Sequence, residues 1–111
     1  MEQNKFEHLR QPGVIGSRPG ADINTMSFAK GNYILMFSEI QKGKWDYGVN
    51  ISSQALRHIK LPGEGNGWFK SENDAILYGL EVLRRKAKNP EVKAELEAAI
   101  YGRMQHTLDL I

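Results

Sequence analysis

Alternating hydrophobic and polar positions are clearest in residues 33–52, and they predict a β-hairpin. Tyr33 to Ile40 is rich in strand-forming residues and apolar on both faces for most of its length, which predicts a well-covered strand. A glycine-containing turn follows at residues 41–44. After it, polar residues and glycine alternate with four large side chains, Trp45, Tyr47, Val49 and Ile51. This period of two places the four on one face, where we expect them to join the core.

The segment after Ser52 has two possible assignments, because residues 54–61 suit either a third strand or one helical turn before Pro62. We favour an irregular strand from Arg57 to Leu61. The glycines of residues 63–67 predict a loop, after which Trp68-Phe69-Lys70 can return to the sheet as a short strand. The pattern therefore predicts an antiparallel meander of three or four strands.

Two helices are predicted after the sheet, each with its own start signal. Ser71 is followed three residues later by an acid, which predicts a helix from Glu72 to about Lys88. Asn89-Pro90-Glu91 predicts a second helix from Pro90 to about Leu108. Apolar residues recur three and four apart in the first helix, at Ala75, Ile76, Gly79, Leu80, Leu83 and Ala87. They recur in the same way in the second, at Val92, Leu96, Ala99, Ile100, Met104 and Leu108.

Residues 1–32 show no lasting apolar period, and clusters of glycine and proline interrupt any element that begins there. We predict an irregular N-terminal arm that is disordered, lies across the domain or is exchanged with a second subunit. Residues 33–111 then form a single α+β domain, because a chain of 111 residues suits one hydrophobic core. The predicted fold is an antiparallel three- to four-stranded meander followed by two α-helices.

Composition narrows the range of functions. The absence of cysteine excludes disulfides, thiol nucleophiles and thiolate metal sites, and no apolar stretch approaches the roughly 18 residues of a membrane span. The three histidines lack a short metal-ligand spacing. No pair of acids and no nucleophile motif stands out. We therefore expect a cytoplasmic protein without enzymatic activity, cofactor, metal, membrane contact or small-molecule substrate.

The charge pattern supplies the candidate binding residues. The net charge is only +2, but four cations are clustered near the end of the first predicted helix, Arg84, Arg85, Lys86 and Lys88. Cations are favoured there by the negative end of the helix dipole, which is a purely structural explanation. The functional alternative is a phosphate-contacting patch, which includes Lys42 and Lys44 of the hairpin turn if the fold brings them to one surface.

The residues from Tyr33 to Ala75 also follow the order of a known type of module. Tyr33 and Ile51 flank Gly43-Lys44-Trp45, and the helix is approached through Gly67-Trp68-Phe69-Lys70-Ser71-Glu72-Asn73-Asp74-Ala75. This order resembles the AP2 and integrase-type DNA-binding modules, in which a Gly-x-Phe-x-Ser/Thr-x-x-acid-Ala segment joins the last strand to the helix. The resemblance covers roughly residues 33–87. It implies a three-stranded sheet backed by one helix, with arginines and tryptophans of the exposed sheet face reading the major groove.

Two functional hypotheses follow from these patterns. The first is a small nucleic-acid-binding or regulatory module that binds DNA or RNA through Lys42, Lys44, Arg84, Arg85, Lys86 and Lys88. The second is a homo-oligomeric interaction or adaptor protein, for example a homodimer. It is suggested by the arm and by a last helix whose apolar face exceeds what one small sheet needs to cover.

Overall fold

The chain forms a four-stranded antiparallel sheet followed by two α-helices, which confirms the predicted α+β class. The computed structural model describes residues 3–18, 20–53 and 57–109. The strands lie in chain order as a meander of β1 (Asn24–Phe28), β2 (Tyr33–Gln41), β3 (Lys44–Ser52) and β4 (Arg57–Lys60). The helices are α1 (Glu72–Lys86) and α2 (Pro90–Asp109). Within the described residues, neither helix is long and apolar enough to cross a membrane.

β2 and β3 form the central hairpin because their large apolar side chains share the face that α1 covers. Leu35 pairs with Val49, and Tyr33 pairs with Ile51. All four side chains are buried. The predicted turn that joins the strands places Gly43 at φ 76°, a left-handed conformation that glycine adopts without steric cost.

α1 begins and packs as the sequence predicts. The hydroxyl of Ser71 accepts a hydrogen bond from the backbone N–H of Asp74 at 3.1 Å, and so caps the first turn. A methyl group at Gly79 would collide with Leu35 and lie 3.1 Å from Cβ of Tyr47. The missing side chain therefore lets the helix approach the sheet closely. The predicted apolar stripe is buried at Ala75, Ile76, Gly79, Leu80, Leu83 and Ala87.

α2 packs on α1 and also contacts β1. Its start is capped as predicted, because the side-chain oxygen of Asn89 accepts a hydrogen bond from the N–H of Glu91 at 2.7 Å. Met104 of the predicted stripe is 43% exposed, and the side chain of Leu108 lies outside the described part of the structure. The rest of the stripe is fully buried at Leu96 and Ile100 and partly buried at Val92 and Ala99.

The described residues before β1 lie across the domain, which is one of the three alternatives that the sequence leaves open. Phe6 is only 6% exposed within the core, and the amide of Asn4 donates to the carbonyl of Tyr78 at 3.2 Å. On the opposite face of the sheet, the hydroxyl of Ser38 donates to the carbonyl of Asp22 at 2.7 Å. The arm is therefore tied to both faces.

β1 lies inside the segment that the sequence predicts to be irregular. Its residues pair with β2 from Phe37 back to Tyr33. Because β1 is an edge strand, Phe28 is its only buried residue and Met26 is half-buried, while Asn24, Thr25 and Ser27 are exposed. Such a strand has too few apolar positions to produce a recognisable period.

The edge of β3 that faces away from β2 is occupied by three different groups. β4 pairs with residues 49–52, and the ammonium group of Lys60 donates to the carbonyl of Tyr47 at 2.7 Å. Further along, the backbones of Phe69 and Trp45 exchange two hydrogen bonds of 2.8 Å. The chain thus returns to the sheet as the sequence predicts, through a single bridge. This bridge places the start of α1 beside the turn between β2 and β3.

Candidate nucleic-acid interface

Lysines of the β2–β3 turn meet a tryptophan at the end of the sheet. The ammonium group of Lys44 lies 4.8 Å from the centroid of the Trp68 ring, a cation–π distance. The antiparallel bridge between Trp45 and Phe69 places Lys70 across from Lys44. Lys42 and Lys70 are exposed, and Lys44 and Trp68 are partly exposed. We call these four residues, Lys42, Lys44, Lys70 and Trp68, the lysine–tryptophan surface.

The arm holds the Trp68 ring in place. The indole N–H of Trp68 donates to the carbonyl of Pro12 at 2.9 Å, and the backbones of Trp68 and Gln11 exchange hydrogen bonds of 3.1 and 2.8 Å. The next residue, Phe69, is fully buried. The alternation therefore turns Phe69 into the core and leaves Trp68 and Lys70 near the surface.

Two of the site residues were not identified from the sequence. Neither Trp68 nor Lys70 is among the candidate binding residues that the charge pattern supplies. For both residues the local signal is the period of two around Phe69. If Phe69 lies in the core, its neighbours Trp68 and Lys70 face the surface. The contact that brings them to Lys44 joins residues 45 and 69, and no local pattern indicates a pairing at that separation.

One acid adjoins this surface and is tied into the turn. The carboxylate of Glu39 accepts a hydrogen bond from the backbone N–H of Gly43 at 3.1 Å. This bond satisfies a turn donor and directs part of the negative charge towards the backbone. The turn therefore presents its cations outward, at Lys42 and Lys44, while Glu39 closes the loop.

The four cations near the end of α1 lie on a separate surface. Arg84 is twelve residues beyond Glu72, which corresponds to about 18 Å along the helix axis. Arg84 donates two hydrogen bonds to Glu81, of 2.6 and 2.8 Å, and Glu81 is only 2% exposed. Arg84 therefore neutralises a buried acid. The other three are exposed or partly exposed, at Arg85, Lys86 and Lys88. The fold does not unite the six predicted residues on one surface.

On the sheet face opposite α1, the charged residues of β3 lie near the β2–β3 turn, at Lys44 and Asp46. The uncharged row of side chains across the middle of this face runs through Ser27, Ile34, Asn50 and Ile59. By alternation, Arg57 of β4 is the arginine that this face offers among the described strand residues. Trp45 and Tyr47 pack instead towards the core on the α1 side. Of the two tryptophans in the segment that resembles AP2 modules, Trp45 therefore faces the core, whereas Trp68 lies beside Lys44.

A buried ion pair fixes the loop after β4. The carboxylate of Asp46 accepts hydrogen bonds from Lys60 at 3.0 Å and from the N–H of Gly63 at 2.6 Å. Burial raises the pKa of Asp46, an effect that the charge of Lys60 and the Gly63 bond partly offset. Burial lowers the pKa of Lys60, and Asp46 opposes that shift. Both groups are engaged in holding the loop, and neither is directed at a binding site.

A polar pocket of about 400 Å³ lies between the arm and the 63–67 loop. Glu7 and Arg10 line it and form an ion pair with each other. The Tyr78 hydroxyl donates to Glu7 at 2.7 Å, and burial together with this bond raises the pKa of Tyr78 to about 12. The internal ion pair leaves the pocket without a net charge. Among the described residues, no three side chains of histidine, aspartate or glutamate are placed to hold a metal ion.

No protein-family model, curated protein or solved structure matches this chain.

Proposed function

We propose that this chain is a non-catalytic, cytoplasmic nucleic-acid-binding module that contacts the phosphate backbone of DNA or RNA through its lysine–tryptophan surface. The observation that carries the proposal is the position of Lys44, whose ammonium group lies 4.8 Å from the Trp68 ring, with Lys70 across from it. Cations that contact the backbone, combined with an aromatic ring on which a base can stack, are the usual means of binding single-stranded nucleic acid without sequence selectivity.

The arrangement favours phosphate binding because Lys44 is already positioned. A lysine side chain loses considerable rotamer freedom when it is fixed on a ligand. The contact with Trp68 restricts Lys44 in the free protein, so less entropy is lost on binding. Three lysines predict a logarithmic salt dependence of about −2 for single strands and about −3 for duplex DNA.

The decisive experiment compares two variants that each remove three positive charges. One set lies beside the start of α1, and the other lies at its end. K42Q/K44Q/K70Q neutralises the lysine–tryptophan surface, and R85Q/K86Q/K88Q neutralises the end of α1 without altering Arg84. Binding of labelled single-stranded DNA, duplex DNA and RNA is measured by fluorescence anisotropy at about 50 and 200 mM salt. Tryptophan fluorescence supplies a second signal from this end of the sheet, because both tryptophans of the chain, Trp45 and Trp68, lie there.

We expect the first variant to lose binding at low salt and the second to change the dissociation constant by less than about threefold. Equal losses in both variants would show that binding follows net charge and would contradict the assignment to one surface. Absence of binding by the wild-type chain at low salt would overturn the proposed function itself.

A second candidate function, a homodimeric interaction protein, is favoured by a different observation. α2 carries two large exposed side chains one turn apart, Tyr101 at 65% and Met104 at 43% exposure. Side chains of this kind are enriched in the cores of protein interfaces. Light scattering over a concentration series tests this function, because the monomer mass is 12.6 kDa and a dimer has twice that mass. A mass that stays at the monomer value contradicts it.

A further inference from the structure

An apolar groove of about 430 Å³ lies where the arm, α1 and α2 meet. Its floor contains Phe6 and Leu77, which are 6% and 5% exposed, and Leu9 and Met104 form its apolar walls. The groove is open to solvent on the same side of the molecule as the exposed part of α2. The groove and the exposed side of α2 therefore form one surface, in which the groove is the concave part and α2 is the ridge.

The groove lies beside the first two turns of α1, because Asp74 and Leu77 line it together with Met104 of α2. α1 has 15 residues and α2 has 20, which correspond to about 22 and 30 Å. The helices are joined by a short connection and so run back along one another. Tyr101 and Met104 therefore lie at the level of the first turns of α1, on a side of α2 that is largely exposed.

The charges at the rim of the groove have opposite signs. Lys5 and His8 line the arm side and are exposed. Asp74, in the first turn of α1, lines the other side and is partly exposed. No ion pair joins Lys5 to Asp74 among the contacts of the described residues. The rim therefore offers a cation and an anion to a partner on the two sides of one apolar groove.

We infer that the occupant of this groove is a second copy of the chain, related by a two-fold axis that passes close to Met104. Tyr101 of each copy packs into the groove of the other, over Phe6 and Leu77. The same rotation brings Lys5 of one copy to the partner's Asp74. This inference rests on the second candidate function and names the surface that would carry it.

A second copy fits better than an unrelated partner because the surface is complementary to itself. It contains both a ridge, Tyr101 and Met104, and a groove that accepts an apolar side chain. It also contains both signs of rim charge. A two-fold dimer uses each feature twice, since each residue meets its complement on the other copy. A partner of one net charge would match only one side of the rim.

The test combines truncation with charge exchange in the full chain. Tyr101→Ala and Met104→Glu change exposed side chains, so the fold is retained, and each is expected to raise the dimer dissociation constant at least about tenfold. Lys5→Asp and Asp74→Lys each place like charges across the interface and are expected to weaken the dimer. The double variant K5D/D74K restores the opposite pairing and is expected to recover it. Light scattering and circular dichroism report mass and folding.

The possible results distinguish the existence of a dimer from the surface that forms it. A wild-type chain that remains monomeric overturns the dimer and leaves the groove to a helix of another protein. A dimer whose mass is unaffected by Tyr101→Ala and Met104→Glu overturns this surface and leaves the second candidate function standing. Dimers weakened by both single charge changes and recovered by the double variant support the inference, because a loss of folding cannot be reversed in this way.

Discussion

The two helices of this protein have similar start signals but unequal roles in the fold. In α1, eight of fifteen residues are buried, and the helix touches both central strands. In the part of α2 whose side chains are described, residues 90–105, only Leu96 and Ile100 are buried. α1 therefore holds the sheet together, whereas α2 packs through one narrow stripe, and most of its side chains between residues 90 and 105 stay accessible.

This difference indicates which side chains can be changed to alter binding without altering the stability of the fold. A residue that fills the space between α1 and the sheet cannot be changed without disturbing the fold, because protein interiors are close-packed. An exposed residue of α2, such as Tyr101, can be changed without such a cost. The comparison therefore predicts that equivalent substitutions in the two helices have very different effects on the free energy of unfolding.

The largest difference is expected for truncation of the apolar stripes. Leu80 of α1 is fully buried, whereas Met104 of α2 is 43% exposed. Leu80→Ala leaves a cavity and is expected to lower the free energy of unfolding by about 2–5 kcal/mol. Met104→Ala is expected to change that of the monomer, measured at concentrations too low for dimers, by less than about 0.5 kcal/mol. Urea unfolding of both variants measures these values, and comparable losses would show that α2 is as much a core helix as α1.

Substitution of the two helical glycines is expected to change the free energy of unfolding by smaller amounts and in opposite directions. A methyl group at Gly79 would collide with Leu35, while nothing lies within 4 Å of the equivalent position at Gly102. Gly79→Ala is expected to destabilise by about 1–3 kcal/mol through overpacking, despite its better helix propensity. Gly102→Ala is expected to stabilise by up to about 1 kcal/mol. Thermal unfolding compares them, and a stabilising Gly79→Ala would mean that α1 can move away from the sheet without loss.

The smallest effect concerns the contact of α1 with the arm and depends on pH. The pKa of Tyr78 rises from 10.0 to about 12 in the folded chain, so folding favours the protonated hydroxyl. This contribution to stability is fully present below pH 10 and is lost as the pH rises towards 12. Tyr78→Phe removes the bond to Glu7 and is expected to cost about 1 kcal/mol at neutral pH.

Urea midpoints between pH 9 and 12 provide the measurement for Tyr78. The wild-type midpoint should fall with rising pH through this window, because the unfolded chain loses its tyrosine proton first. The fall should be less steep in Tyr78→Phe. Identical slopes would show that Tyr78 contributes nothing to the alkaline transition.

The parts of the fold that local patterns determine were predictable from the sequence. The alternation after Gly43 predicts β3, and Ser71 and Asn89 mark the starts of both helices. β1 was not predicted, because an edge strand in which only Phe28 is fully buried has no distinctive period. Local sequence thus identifies elements whose apolar residues repeat, and misses those that depend on a neighbouring strand for their structure.

The candidate site was predictable only in part, for the same reason. Lys42 and Lys44 belong to a recognisable turn, but the contact of Lys44 with Trp68 depends on a bridge between distant residues. The basic cluster of α1 contained a local clue to its structural role, since Glu81 precedes Arg84 by three residues, a spacing typical of helical ion pairs. The burial of Glu81, which makes that pair important, follows from tertiary packing.

The ammonium group of Lys60 has a further consequence for the behaviour of the chain at high concentration. An unpaired strand edge invites another chain to continue the sheet, which is a common route to aggregation. Beyond the end of β4, Lys60 occupies the carbonyl of Tyr47 with a charged group that no incoming strand can mimic. Together with β4 and the Phe69 bridge, the same side chain that balances Asp46 therefore closes this edge of β3 to pairing with other chains.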